Sequence, residues 1–305
     1  MFLKWIWRLT TFRERLEQSR RAECARHSQM KAAMNALFKQ GRLIFAFSIA
    51  AFGVENLVCA RTADPMLPVI PWVPGAPAAY FTGAALLAAS VCIVVRYKAR
   101  LAAGLLGIYF LFCNLFLQIA RVAAKPLDVG VRTCAFETLT MCAAALILAG
   151  TLPADSQVPP WWDRTIDCMI TAARYIFAVS MLVFGIDHYL VFAFIVSLVP
   201  HWIPGGGWFW AQVTSIAFLA ASISIASGWM ARLAAAMLGL MFMLWFLTLH
   251  LPRVMSYPRS HNPDEWSSAF IALAVCGGSW ILASSLSPPR RCDSPGATTN
   301  LKSMC

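Results

Sequence analysis

Asp187, His188, His250 and Arg253 bring a carboxylate, two imidazoles and a guanidinium to the second half of a very apolar chain. Imidazoles exchange protons near neutrality, and arginine holds carbonyl or anionic groups. All four lie in or beside long apolar stretches. An ionisable group in such a place is costly, and it faces a bundle interior or a cavity. The first half carries a matching set. Glu55, Gln118 and Arg121 precede Asp187, His250 and Arg253 by one constant offset (187 − 55 = 132). Glu55 follows Arg42 by thirteen residues, about 20 Å along a helix, past the middle of a ~30 Å hydrocarbon core. Ser48 and Glu55, like Ser180 and Asp187, are seven apart and share a helix face.

The reading is one polar pocket in each half, opening outward and capped by the Trp72 or Trp202 loop. Asp187, His188, His250 and Arg253 are the candidate catalytic residues. Glu55, Gln118, Arg121, Trp202 and Glu265 are the candidate ligand-binding residues. Four of the five histidines (His188, His201, His250 and His261) fall in the second half, and Asp264 and Glu265 add carboxylates. The first half has Asn56, Pro71 and Gln118 at the first three matched places. Imidazoles with carboxylates can ligate a metal. No histidine pair has helical i, i+4 spacing, so no metal site is assigned. The plain alternative is that Glu55 and Asp187 are paired structurally with arginine or histidine.

These residues sit in a chain that repeats itself. Arg42-Leu-Ile-Phe-Ala-Phe-Ser48 is matched by Arg174-Tyr-Ile-Phe-Ala-Val-Ser180, and Phe52-Gly-Val-Glu-Asn56 by Phe184-Gly-Ile-Asp-His188. Ala99-Arg-Leu-Ala-Ala103 matches Ala231-Arg-Leu-Ala-Ala235 at the same offset. Later matches, such as Ala135-Phe136 with Ala269-Phe270, fall at 134 (269 − 135), the drift lying in loops. A repeat of this kind fixes the architecture before any single helix is considered.

Composition names the solvent. Hydrophobic residues make up 59% and charged residues 13%, against about 25% charged in a soluble domain, and mean hydropathy is +0.65. Apolar runs near 43–60, 78–95, 101–120, 133–151, 175–199, 208–227, 233–251 and 267–286 each approach the ~20 residues that cross a bilayer as a helix. The predicted fold is all-α: a polytopic membrane protein with eight transmembrane helices as two parallel four-helix repeats, plus an N-terminal amphipathic helix. Small residues along the third and seventh helices, including Gly107 and Gly239, place those two helices at the pseudo-twofold axis. Ten lysines and arginines in residues 1–42 and the basic Arg96–Arg100 loop keep those segments inside. Both termini are then cytoplasmic.

The expected organisation is a basic amphipathic arm over 1–40, repeat one over 41–151, a cytoplasmic linker over 152–171, repeat two over 172–286 and a disordered tail over 287–305. The arm suits the anionic inner leaflet, with the lipid bilayer as partner and no nucleic acid. The ten cysteines show no C-x-x-C spacing, and no soluble-enzyme motif occurs.

A four-helix unit opening Arg-x-x-Phe-(small) and reaching Phe-Gly-x-(acid)-Asn/His resembles the DoxX-like membrane family. Gly53 with Glu55, Gly185 with Asp187 and His188, and Arg100 and Arg232 carry the likeness, over about 42–150 and 174–285. The resemblance implies a tandem duplication in a bacterial inner-membrane protein. Some such proteins are linked to quinone-coupled redox complexes, and no agreed catalytic set can be carried over. Three readings share these features: a membrane subunit binding a quinone and meeting a soluble or membrane redox partner, a small-molecule permease, and a non-catalytic scaffold. The inner halves of the spans carry almost no charge, which counts against a permease path.

Overall fold

The computed structural model describes residues 2–59, 75–154, 159–256 and 263–286. Described secondary structure is helical throughout. In chain order it comprises α1 (Phe2–Cys59), α2 (Gly75–Val95), α3 (Ala99–Cys113), α4 (Ile119–Ala124), α5 (Val129–Thr151), α6 (Pro160–Leu190), α7 (Phe192–Leu198), α8 (Gly206–Ser227), α9 (Ala231–Trp245), α10 (Leu251–Ser256) and α11 (Pro263–Ser285). Two wide-turn π-helical segments, Asn114–Gln118 and Phe246–His250, join α3 to α4 and α9 to α10. Among the described residues eight helical stretches are long and apolar enough to cross a membrane, from Asn35–Val58 to Glu265–Ser285. The chain is a multi-pass membrane protein.

Residues 37–286 form one compact unit, and residues 2–36 belong to a second. Within the second unit residues 2–36 are helical, and the few described side chains, such as Arg15 and Gln18, are exposed. Most side chains of the expected amphipathic face, and the whole of the expected disordered tail, lie outside the described residues. The remainder of this description concerns 37–286.

Helix ends show how the local sequence builds the bundle. Asp128 caps α5, accepting from the Val131 amide at 3.1 Å. Gly228 ends α8 in the left-handed conformation, at φ 84°. Arg42 donates to the Ile93 carbonyl at 2.9 Å, and Arg174 donates to the Ile225 carbonyl at 2.7 Å from Nε. Each arginine thus satisfies an orphan carbonyl in the last turns of the next span, where the helix dipole favours a cation. Arg100 does the same for α5, donating to Ala149 and Leu152 while pairing with Asp163 at 2.6 Å and Asp167 at 2.8 Å.

Residues 160–171, within the expected linker, are helical and open α6. Pro160 stands at the first helical position, which tolerates its missing amide. Trp162 and Ile166 are buried beneath Gly104 of α3, while Trp161 stays exposed.

The centre of the bundle also differs from expectation. α5 and α11 are its most buried spans, at 67% and 78% of their apolar windows, and they pack directly on each other. Gly278 faces Ala144: a Cβ there would stand 2.7 Å from the alanine methyl. α3 packs on α5, and α9 on α11. The small face of α9 is consumed by α11, because Gly239 lies against the Trp280 indole. The centre of the bundle is therefore the α5–α11 contact, whose facing residues, Gly278 and Ala144, are smaller still.

α1 and α6 pack on different members of the central pair. α6 packs along α5 and α8. α1 meets α11 where Gly41 and Gly277 bring the backbones together, a Cβ on Gly277 falling 2.6 Å from the Phe45 nitrogen. Only glycine permits that approach. α1 meets α2 through Gly53 and Gly83.

Candidate functional site

α6 ends at Leu190, and the chain runs through α7 and a turn before α8 begins at Gly206. Gly205 and Gly206 take positive φ, 96° and 75°, which reverses the chain without strain. The Trp210 indole donates to the Pro204 carbonyl at 2.7 Å and ties the turn down. Between this turn, α6, α7, α8 and α9 lies a cavity of about 250 Å³. Its walls are nearly all apolar, among them Ile195, Pro200, Ile203, Val213 and Met241. Polar groups enter from His188, Thr214 and Thr248, beside the indoles of Trp210 and Trp245.

His188 is held from three sides. Its Nδ1 lies 2.8 Å from the Phe184 carbonyl. A carbonyl only accepts, so Nδ1 carries the hydrogen and Nε2 of the neutral ring is an acceptor. The ring stacks on Trp245 at 5.7 Å and 15°, and meets Phe218 edge-on at 5.0 Å. Trp245 immediately precedes the π segment Phe246–His250, which contributes Thr248 and Leu249 to the wall. Such wide turns recur at functional sites. This one has a counterpart in the first half, at Asn114–Gln118, displaced by the repeat offset (246 − 114 = 132).

The expected polar constellation is not assembled here. Asp187 is buried, but it turns toward α5: it takes Nε and Nη2 of Arg132, the former at 2.8 Å, and the Thr133 hydroxyl at 2.9 Å. Arg253 pairs with Glu265 at 2.6 Å. His250 ends the π segment with its Nδ1 buried and without a partner among the described residues, and it is not part of the cavity wall. Trp202 and His201 are exposed in the turn, while their neighbours Pro200 and Ile203 line the cavity. Of the four candidate catalytic residues, His188 alone lines it. The pocket is apolar because the nearby charges are already spent on one another.

In the first half, Glu55 accepts from the Ser267 hydroxyl at 2.8 Å, and Gln118 reaches Thr138 at 3.5 Å. Arg121 lies on α4 and is half-buried. The side chains of Trp72, His261 and Asp264 fall outside the described residues. Among the described residues, no three His, Cys, Asp or Glu side chains gather to hold a metal ion.

Matched positions differ in the first half, where a separate apolar cavity of about 460 Å³ lies between α2 and α3. Asn56 and Thr82 hold the places of His188 and Thr214 in the first repeat (188 − 56 = 214 − 82). Asn56 is fully buried and donates to Thr82 at 3.3 Å. His188 bonds its own helix instead, and the space between it and Thr214 stays open. Leu86 and Cys113 hold the places of Phe218 and Trp245, so the aromatic box has no counterpart.

Sequence reasoning missed Arg132 and Thr133 as partners of Asp187, and Thr214, Trp245 and Thr248 as cavity residues. One signal was present: Thr133 and Ser267 are related by the offset of the later matches (267 − 133 = 134), and each hydroxyl serves the carboxylate of the other half. Glu137 was also passed over. It sits half-buried within α5 and makes no bond with a described residue, while the matched position holds Ile271. Comparison with protein-family models, with curated proteins and with solved structures finds no match to this chain.

Proposed function

We propose that this chain is a tandemly duplicated four-helix membrane protein of DoxX-like type, and that its second repeat binds a quinone-type ring as the membrane subunit of a redox system. The aromatic box around His188 carries the reading. It places one imidazole acceptor in an otherwise apolar, membrane-level cavity of a size that suits a small substituted ring. Ligand pockets have this make-up: apolar walls with a few placed polar groups.

The duplication is supported by interactions that recur at a fixed offset. Arg42 to Ile93 and Arg174 to Ile225 are the same contact displaced by one repeat (174 − 42 = 225 − 93). The two π segments, and the left-handed Lys98 and Met230, are related in the same way. Both repeats run in the same direction in this reading, since each has four spans. The first helix of each packs on the last helix of the other. An even number of spans leaves both termini on one face, the cytoplasmic face of a bacterial inner membrane by the basic residues of 1–42. The His188 cavity then opens toward the outside.

The test is native mass spectrometry and lipid extraction on protein purified from its own membrane, with Thr214→Phe, which fills the cavity, beside it. A quinone that travels with the wild type and is lost from the folded variant supports the reading. No small ligand in either sample overturns it and leaves the scaffold, whose soluble partner would then be sought by co-purification.

A further inference from the structure

We propose that the second-repeat cavity selects the hydroxylated, reduced form of its ring: a hydroquinone or phenol, held by donation of its O–H to His188 Nε2. The proposal rests on the reading of this cavity as a quinone-type site and names the form bound there.

The argument is an inventory of donors and acceptors. Every hydroxyl hydrogen on the cavity wall is already used. Thr214 donates to the Trp210 carbonyl at 2.9 Å and the Ala211 carbonyl at 3.0 Å, and Thr248 donates to the Leu244 carbonyl at 2.7 Å. The Trp210 N–H is spent on Pro204, and the His188 Nδ1 hydrogen on Phe184. What these groups turn to the cavity is oxygen and nitrogen lone pairs. Trp245 Nε1 is the remaining side-chain donor of the lining.

A quinone carbonyl can accept from Trp245 but can give nothing to His188. Nε2 would then stay desolvated beside the ring, at the full cost of an unmade bond. A hydroxyl meets both demands, donating to Nε2 and accepting from the indole. Stacking on the Trp245–His188 pair is open to either form.

Size and access agree. A cavity of ~150 Å³ holds benzene, so about 250 Å³ admits a ring with several small substituents. Val213 and Leu244 line the cavity and are 38% and 50% exposed on the outer surface of α8 and α9. A substituent chain could leave between these helices into lipid.

The experiment is equilibrium dialysis, without oxygen, of the full chain in nanodiscs against empty nanodiscs. The probes are tetramethylhydroquinone, tetramethylbenzoquinone and the dimethyl ether of the hydroquinone. The hydroquinone is expected to bind about tenfold or more tighter than the other two. His188→Phe keeps the ring and removes the acceptor, so it should bring the hydroquinone to the level of the quinone and leave the quinone unchanged. If that variant fails to fold, the wild-type ratio of hydroquinone to ether decides alone. Equal binding of all three rings overturns the selectivity while leaving the quinone-type site in place. No binding above empty nanodiscs overturns both and assigns the cavity to bilayer lipid.

Discussion

Separating Arg132 from Asp187 should damage the fold unequally, depending on which partner is removed. Asp187 is 3% exposed and accepts from Arg132 and Thr133; Arg132 is 23% exposed. Arg132→Ala leaves a carboxylate sealed among helices with one hydroxyl to satisfy it. Removing one partner of a buried pair costs about 3–5 kcal/mol. Asp187→Ala strands a longer cation near the start of α5, which can reach toward the membrane surface, so its cost should fall below that range. At roughly 2–4 °C per kcal/mol, Arg132→Ala should lower the melting temperature by about 6–20 °C. The double variant Arg132→Met/Asp187→Leu removes both charges and should recover most of the loss. The assay is thermal unfolding in one detergent, followed by near-UV dichroism, for the wild type, both single variants and the double. A melting temperature for Arg132→Ala within a degree or two of wild type would refute the reasoning. So would additive losses in the double variant.

Other perturbations test the packing. Gly239→Leu would drive a side chain into Trp280, whose indole is pinned by donation to the Ala236 carbonyl at 3.2 Å; a loss of about 1–3 kcal/mol is expected, and Trp280→Leu combined with Gly239→Ala should restore stability in the same melt. Arg174→Met strips its hydrogen bonds from the Ile225 carbonyl and should cost about 1.5–3 kcal/mol, seen as faster hydrogen exchange at the end of α8. Glu137→Ile removes a half-buried carboxyl with no described partner and should raise stability by about 1–3 kcal/mol. A drop in melting temperature for that variant would show that the carboxyl has a structural partner.

Composition and spacing made the eight spans legible, because bilayer-length apolar runs have few alternatives as structures. That Glu55 and Asp187 fall within spans was equally plain. Their partners were not, because Arg132 reads as one more basic loop residue until α5 is seen to bring it beside α6. The polar pocket expected from Asp187, His250 and Arg253 came from residues close in depth but not in azimuth. Spacing within one helix says nothing of which neighbour each face meets. The central role of α5 and α11 was hidden for a similar reason: small residues occur on several helices, and only the packed bundle shows which of them touch.

The contact between Glu55 and Ser267 joins residues 212 positions apart. At 5–20 residues per second, about 10–40 s of synthesis separate the two. During that interval α1 stands in the bilayer without α11, Gly41 lacking its contact with Gly277 and Glu55 lacking the Ser267 hydroxyl. The nascent chain is thus an unfinished clasp, vulnerable to misplacement or degradation until its final helix arrives. A stop codon anywhere before α11 should therefore leave α1 without its partner, and with it every earlier helix in a state that the quality-control proteases of the membrane can recognise.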